Sequence, residues 1–192
     1  MTGVQTCALP ISACGEPVRV EEKDLFCEND RCPGRRLEAM VHFASRGAMD
    51  IDGLSYARVE QLVNAGLVHD VADLYALTPA QVAELDRFAE KSADALVAAI
   101  AASKAQPLSR LLFGLGIRHV GQEAAAALAR RFGTLETITG PLDGDGPAAD
   151  RDTVESVHGI GPAIADSVMA WVDRKSTRLN SSHVALSRMP SS

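Results

Sequence analysis

A mainly α-helical fold is predicted for this 192-residue chain, on three observations. Aromatic residues make up only 4% of it, alanine is abundant and β-branched runs are scarce, which favours helices joined by short turns over a sheet. Apolar residues reach 46%, enough for one or two small domains with real cores. A nine-residue pattern recurs four times and each time opens an amphipathic helix. No apolar run approaches the roughly 18 residues of a membrane span, and residues 1–12 lack the basic start and long apolar stretch of a secretory signal. A soluble, cytoplasmic chain without membrane contact is the expectation.

The four segments are IDGLSYARV from Ile51, LDRFAEKSA from Leu85, IRHVGQEAA from Ile117 and VHGIGPAIA from Val157, starting 34, 32 and 40 residues apart. The first and fourth residues are apolar throughout. The fifth is always small: Ser55, Ala89, Gly121 or Gly161. After each comes an i, i+3, i+4 pattern: Val59, Leu62, Val63; Ala93, Leu96, Val97, Ile100; Ala124, Ala125, Leu128, Phe132; and Ile164, Ala165, Val168, Val172. Shorter helical patterns precede three of the segments, such as Ala80 to Leu85 behind Thr78-Pro79 and Leu108 to Phe113 behind Gln106-Pro107. The unit is helix, tight turn, helix.

A tight turn ending at a helix N-terminus is suited to anions. The first amides of a helix have no internal partner, the dipole is positive there, and glycine admits an anion without a Cβ in the way. Candidate phosphate contacts are Gly53 and Ser55 in the first unit, Lys91 and Ser92 in the second, Arg118, His119 and Gly121 in the third, and Gly159 and Gly161 in the fourth. Arg87 and Ala89 replace both glycines in the second unit, which makes it the weakest phosphate binder, with Lys91 as compensating charge. Main-chain donors also reconcile phosphate binding with a net charge of −6, from 19 basic and 25 acidic residues, which excludes bulk electrostatic coating of nucleic acid. A helical stack that binds protein is the competing reading of the repeat. The fourth segment, from His158 to Ala165, resembles the helix-hairpin-helix consensus of DNA-repair proteins, whose paired hairpins grip phosphates bordering the minor groove.

The ends differ from this body. Residues 174–192 are serine-rich, carry four basic residues and no acid, and lack periodicity, so they read as a disordered tail. This stretch and GVQTCALPIS near the start resemble translated sequencing-adapter text, so residues 1–12 and 174–192 are expected to be non-native flanks around a fragment. A basic arm gripping phosphates is the functional alternative for the tail. The loop from Thr139 to Asp152, with GPLDGDGPAAD at its centre, lacks the ligand spacing and closing glutamate of a calcium loop and reads as a flexible connector.

Cys14, Cys27 and Cys32 lie close together, with Gly15 and Asn29 placed to turn the chain back, as in a small zinc knuckle spanning residues 13–35. Cys27 and Cys32 make one acceptable ligand pair. The other pair is incomplete, because a C-x2-C arrangement with Cys14 needs a cysteine where Ile11 stands, and Cys7 is awkwardly distant. Structural zinc on Cys14, Cys27 and Cys32 is therefore expected in an incomplete site. Unrelated buried cysteines are the alternative, and nothing pairs a thiol with a base as a nucleophile would require.

A cysteine knuckle followed by four helix-hairpin-helix units, at residues 36–173, resembles the middle and C-terminal portion of the bacterial NAD-dependent DNA ligases. LEAMVHFASRGAMDIDGL, VEQLVNAGLVHDVADLYAL and LFGLGIRHVG carry the resemblance. It implies sequence-independent binding of nicked double-stranded DNA by a monomer, as the clamp of an enzyme that seals nicks in replication and repair. NAD and magnesium would serve the parent enzyme only. The family's KxDG adenylation motif does not occur here, so no catalytic residue is assigned and no activity is expected of the isolated chain. A stand-alone helix-hairpin-helix repair or junction-binding protein is the alternative.

Overall fold

The computed structural model describes residues 13–21, 24–27, 29, 32–86, 88–140 and 149–179. The chain begins with two antiparallel strands, β1 (Val18–Glu21) and β2 (Asp24–Cys27), paired in a register that sets Val18 opposite Cys27. Nine helices follow among the described residues: α1 (Pro33–Ala44), α2 (Tyr56–Asn64), α3 (Pro79–Ala83), α4 (Glu90–Ser103), α5 (Leu108–Gly114), α6 (Gln122–Phe132), α7 (Leu135–Thr139), α8 (Arg151–Glu155) and α9 (Pro162–Leu179). A single 3-10 turn, Asp73–Ala76, lies between α2 and α3. No described helix is long and apolar enough to cross a membrane.

Local chemistry sets many of the boundaries. Pro33 and Pro79 occupy first-turn positions, where a missing amide costs nothing. Thr78 and Gln81 close a capping box around the start of α3, the Thr78 amide donating to Gln81 Oε1 at 3.0 Å. Gly133, at φ +75°, ends α6. The Asp150 carboxylate accepts the Thr153 amide at 2.7 Å and caps α8, and bonding to the Thr153 side chain and then its amide holds the carboxyl below the ordinary carboxylate range.

Helices pack pairwise: α1 on α2, α3 on α4, α5 on α6, α8 on α9. Two cores result. One gathers Met40, Phe43, Met49, Leu62, Leu74, Val82, Leu96 and their neighbours; the other gathers Leu128, Ile138, Val154, Val168 and Trp171. Helix α5 serves both, since Leu111 enters the first core and Leu112 the second. His42 fastens α1 to α5, its Nε2 donating to the Phe113 carbonyl at 2.9 Å with the two rings edge-to-face. The expected mainly helical fold is observed, with the strand pair as an addition.

Helix α9 runs on through Arg174, where a disordered tail was expected, as far as Leu179. Once a helix is nucleated each further residue adds a hydrogen bond, and residues 174–179 contain no glycine or proline to stop it. The remaining expected flanks, 1–12 and 180–192, lie outside the described residues, as do residues 141–148 of the connector, while its expected ends at Thr139 and Asp152 belong to α7 and α8.

Buried Gly114 is where α5 meets the first core. A Cβ there would stand 3.1 Å from the Ala48 Cβ and 3.3 Å from the Phe43 ring. Gly114→Ala is expected to lower stability by about 1–2 kcal/mol despite alanine's better helix propensity. An unchanged or raised urea midpoint would contradict that close approach.

Candidate nucleic-acid interface and metal centre

The four repeated segments form one local structure four times. In each, the amide of the fourth residue donates to the carbonyl of the first: Leu54 to Ile51 at 3.3 Å, Phe88 to Leu85 at 3.2 Å, Val120 to Ile117 at 3.0 Å and Ile160 to Val157 at 2.9 Å. This closes a β-turn whose third residue takes positive φ: +80° at Gly53, +64° at His119 and +85° at Gly159. Arg87, the equivalent residue of the second unit, lies outside the described residues.

The fifth residue is then extended and caps the following helix, as seen at Ser55, Ala89 and Gly121, while Gly161 directly precedes α9. Its carbonyl accepts the amide of the ninth residue at 2.9, 3.0, 2.9 and 3.1 Å along the series. That ninth residue, Val59, Ala93, Ala125 or Ala165, is wholly buried. The first and fourth residues of units one, three and four are buried as well. Apolar anchors at positions one, four and nine thus pin each turn, and the first-turn amides, which no helix can satisfy internally, are left at its tip.

The units differ in what surrounds those amides. In the first, Asp52 Oδ1 accepts the Gly53 amide at 2.9 Å, and Arg58 Nη1 donates to the Gly53 carbonyl at 2.6 Å with its guanidinium 4.9 Å from the Phe88 ring centre. In the second, Ser92 Oγ accepts the Ala89 amide at 3.0 Å and donates to the Ala89 carbonyl at 2.8 Å, so this hydroxyl is engaged within the chain. The third and fourth are open: a Cβ built on Gly121, Gly159 or Gly161 would meet nothing within 4 Å. Lys91, Arg118 and His119 are exposed on or beside their turns. The Arg58 contact had no signal in the repeat, because no arginine recurs at its position in the other units, whereas Asp52 has a counterpart in Asp86 of the second unit.

The cysteines converge as their spacing implied. The sulfurs of Cys14, Cys27 and Cys32 all lie within 4.8 Å of one another, with Cys14 and Cys27 3.6 Å apart. Sulfurs around a tetrahedral zinc stand roughly 3.8 Å apart, so three thiolates so placed fit such an ion. The strand pair, which the sequence reading missed, delivers Cys27; Gly15, at φ +81°, turns the chain at Cys14. The Asn29 carbonyl accepts the Cys32 amide at 3.0 Å just before α1. The alternation of Val18, Val20 and Leu25 around a short charged stretch was the available signal for the strands. Cys7 and Ile11 lie outside the described residues.

Two family models match: a SAM-like helix-hairpin-helix tandem over residues 46–102 and a helix-hairpin-helix motif over residues 110–179. Each contains two of the four turns. Fold and site together define a helix-hairpin-helix protein with a cysteine module able to hold a metal ion.

The chain is homologous to part of the proteins named DNA ligase. It is 51% identical to the DNA ligase of Gemmatimonas aurantiaca over 172 residues, 90% of this chain and 23% of that protein. It is 44% identical over 168 residues to the DNA ligase of Syntrophotalea carbinolica, and 48% identical over 151 residues to that of Latilactobacillus sakei. These alignments cover 86% and 79% of this chain. The chain spans about a quarter of the length of these relatives.

Two substitutions test the turn geometry. Gly159→Ala meets open space but a left-handed backbone, and is expected to cost about 1–2 kcal/mol. His119→Gly removes that strain while loosening the unfolded chain, and is expected to change stability by less than about 1 kcal/mol. Thermal melts check both, and a neutral Gly159→Ala would contradict the assigned turn.

Proposed function

We propose that this chain holds nicked double-stranded DNA, without reading its sequence, as the clamp portion of an NAD-dependent DNA ligase that seals nicks in replication and repair. The observation that carries the reading is the same pinned turn in four copies, two of them with open glycine faces at a helix start. Homology to proteins named DNA ligase supports it. Phosphates accept hydrogen bonds from the turn amides, with Arg118, His119 and Lys91 adding side-chain contacts. Such contacts touch the backbone common to all sequences, which is why they position rather than specify. Holding the duplex on both sides of a nick keeps the 5′ phosphate and 3′ hydroxyl aligned for a catalytic centre elsewhere in the enzyme. NAD and magnesium belong to that centre. The isolated chain, a monomer acting in the cytoplasm, makes no bond itself.

Duplex binding is the direct test. Fluorescence anisotropy with duplexes of unrelated sequence is expected to give similar affinities that fall at least about tenfold between 50 and 200 mM salt. Gly161→Ala, where the added methyl meets only open space in the chain, is expected to weaken binding about tenfold with little change in melting temperature, a loss of one or more close phosphate hydrogen bonds. Absence of binding at low salt, or one preferred sequence, would contradict the reading.

Cys14, Cys27 and Cys32 would hold a zinc ion that cross-links the strand pair to the start of α1. Bound there, zinc supplies a structural link and no reaction step. Cobalt(II) titration is expected to develop a thiolate charge-transfer band that Cys32→Ser abolishes, while the helical circular dichroism of the body persists after chelation. A wild-type chain without the band would overturn the metal assignment.

A further inference from the structure

Tyr56 is the one large apolar side chain left exposed among the described residues, at 48% of its surface. It is the first residue of α2, directly after the cap Ser55, and occupies the repeat position held by Glu90, Gln122 and Pro162 in the other units. Its hydroxyl has no hydrogen-bond partner among the described residues. At this turn about half of the Tyr56 surface stays in water and gains nothing from the chain's own fold, since hydrophobic stabilisation requires apolar area to leave water.

The surroundings say what could cover it. Asp52 occupies the Gly53 amide and sets a negative charge in the turn, so this tip is poorer for an anion than the open glycine tips of the third and fourth units. Arg58 is drawn back onto the Gly53 carbonyl and the Phe88 ring. What the first tip offers outward is an aromatic face. Along a DNA backbone the apolar surface between successive phosphates is the C–H face of deoxyribose.

Resting on the duplex-DNA reading above, we propose that Tyr56 packs its ring against a deoxyribose of the bound duplex, so that the first hairpin grips sugar where the third and fourth grip phosphate. A sugar contact releases no counterion. Its signature is a loss of affinity without a change in salt dependence, whereas loss of a phosphate contact lowers the slope of log K against log salt by about 0.9.

The test uses the full chain and a labelled 20-base-pair duplex in anisotropy titrations across a salt series. Tyr56→Ala is expected to weaken binding about tenfold, the worth of returning about 50 Å2 of apolar surface to water. Its slope and melting temperature are expected to match wild type. Tyr56→Phe, which keeps the ring and drops the hydroxyl, is expected to bind within about twofold of wild type. Wild-type affinity in Tyr56→Ala would overturn the proposal and leave the duplex-DNA reading standing. So would a slope reduced by about 0.9, or a Tyr56→Phe as weak as Tyr56→Ala, since either assigns the residue to phosphate through its hydroxyl. Failure of the wild-type chain to bind duplex at low salt would overturn both.

Discussion

Each hairpin depends on one local hydrogen bond, from the amide of its fourth residue to the carbonyl of its first. That bond folds the chain sharply enough for the fifth residue to cap a helix whose opening amides have no partner of their own. It holds because the residues on either side are buried: Ile117, Val120 and Ala125 in the third unit, Val157, Ile160 and Ala165 in the fourth. Packing at three positions out of nine thus creates unsatisfied donors at the tip. Their cost is small while water covers them, and a phosphate can replace that water.

An acidic chain can bind a polyanion on these terms. Partial positive charge at a helix start is confined to its first turn, so it acts on a phosphate in contact and hardly at all on the molecule's long-range field. The four tips are also unequal. Asp52, Arg58 and Ser92 engage the first two turns from within, while the third and fourth present bare glycine. The two open tips frame the second core and the two engaged ones lie in the first, with α5 contributing Leu111 to one core and Leu112 to the other. Leu135 of α7 packs against both cores as well, and His42 fastens α1 to α5 across the joint.

Much of this was legible in the sequence because it is periodic. The starts at Ile51, Leu85, Ile117 and Val157, the caps behind them and the buried ninth residues all follow from one register, and Thr78-Pro79 and Gln106-Pro107 marked the preceding helices. The convergence of Cys14, Cys27 and Cys32 was legible from turn chemistry at Gly15 and Asn29. What escaped notice is what a register cannot encode. The pairing of β1 with β2 depends on contacts between two very short segments, and the extension of α9 to Leu179 on propagation through residues of ordinary propensity. The engagement of Asp52, Arg58 and Ser92 depends on rotamers; that His119 replaces a glycine was legible, whereas its left-handed backbone was not.

The most direct measurement is a nitrogen-15 amide spectrum of the chain titrated with duplex DNA. Phosphate capture by main-chain donors requires the largest shifts at the amides of residues 121–123 and 159–161, with smaller ones at 89–91, where Ser92 already occupies a donor. Shifts confined to the outer faces of α4 or α7, with the turn amides unmoved at saturation, would contradict it.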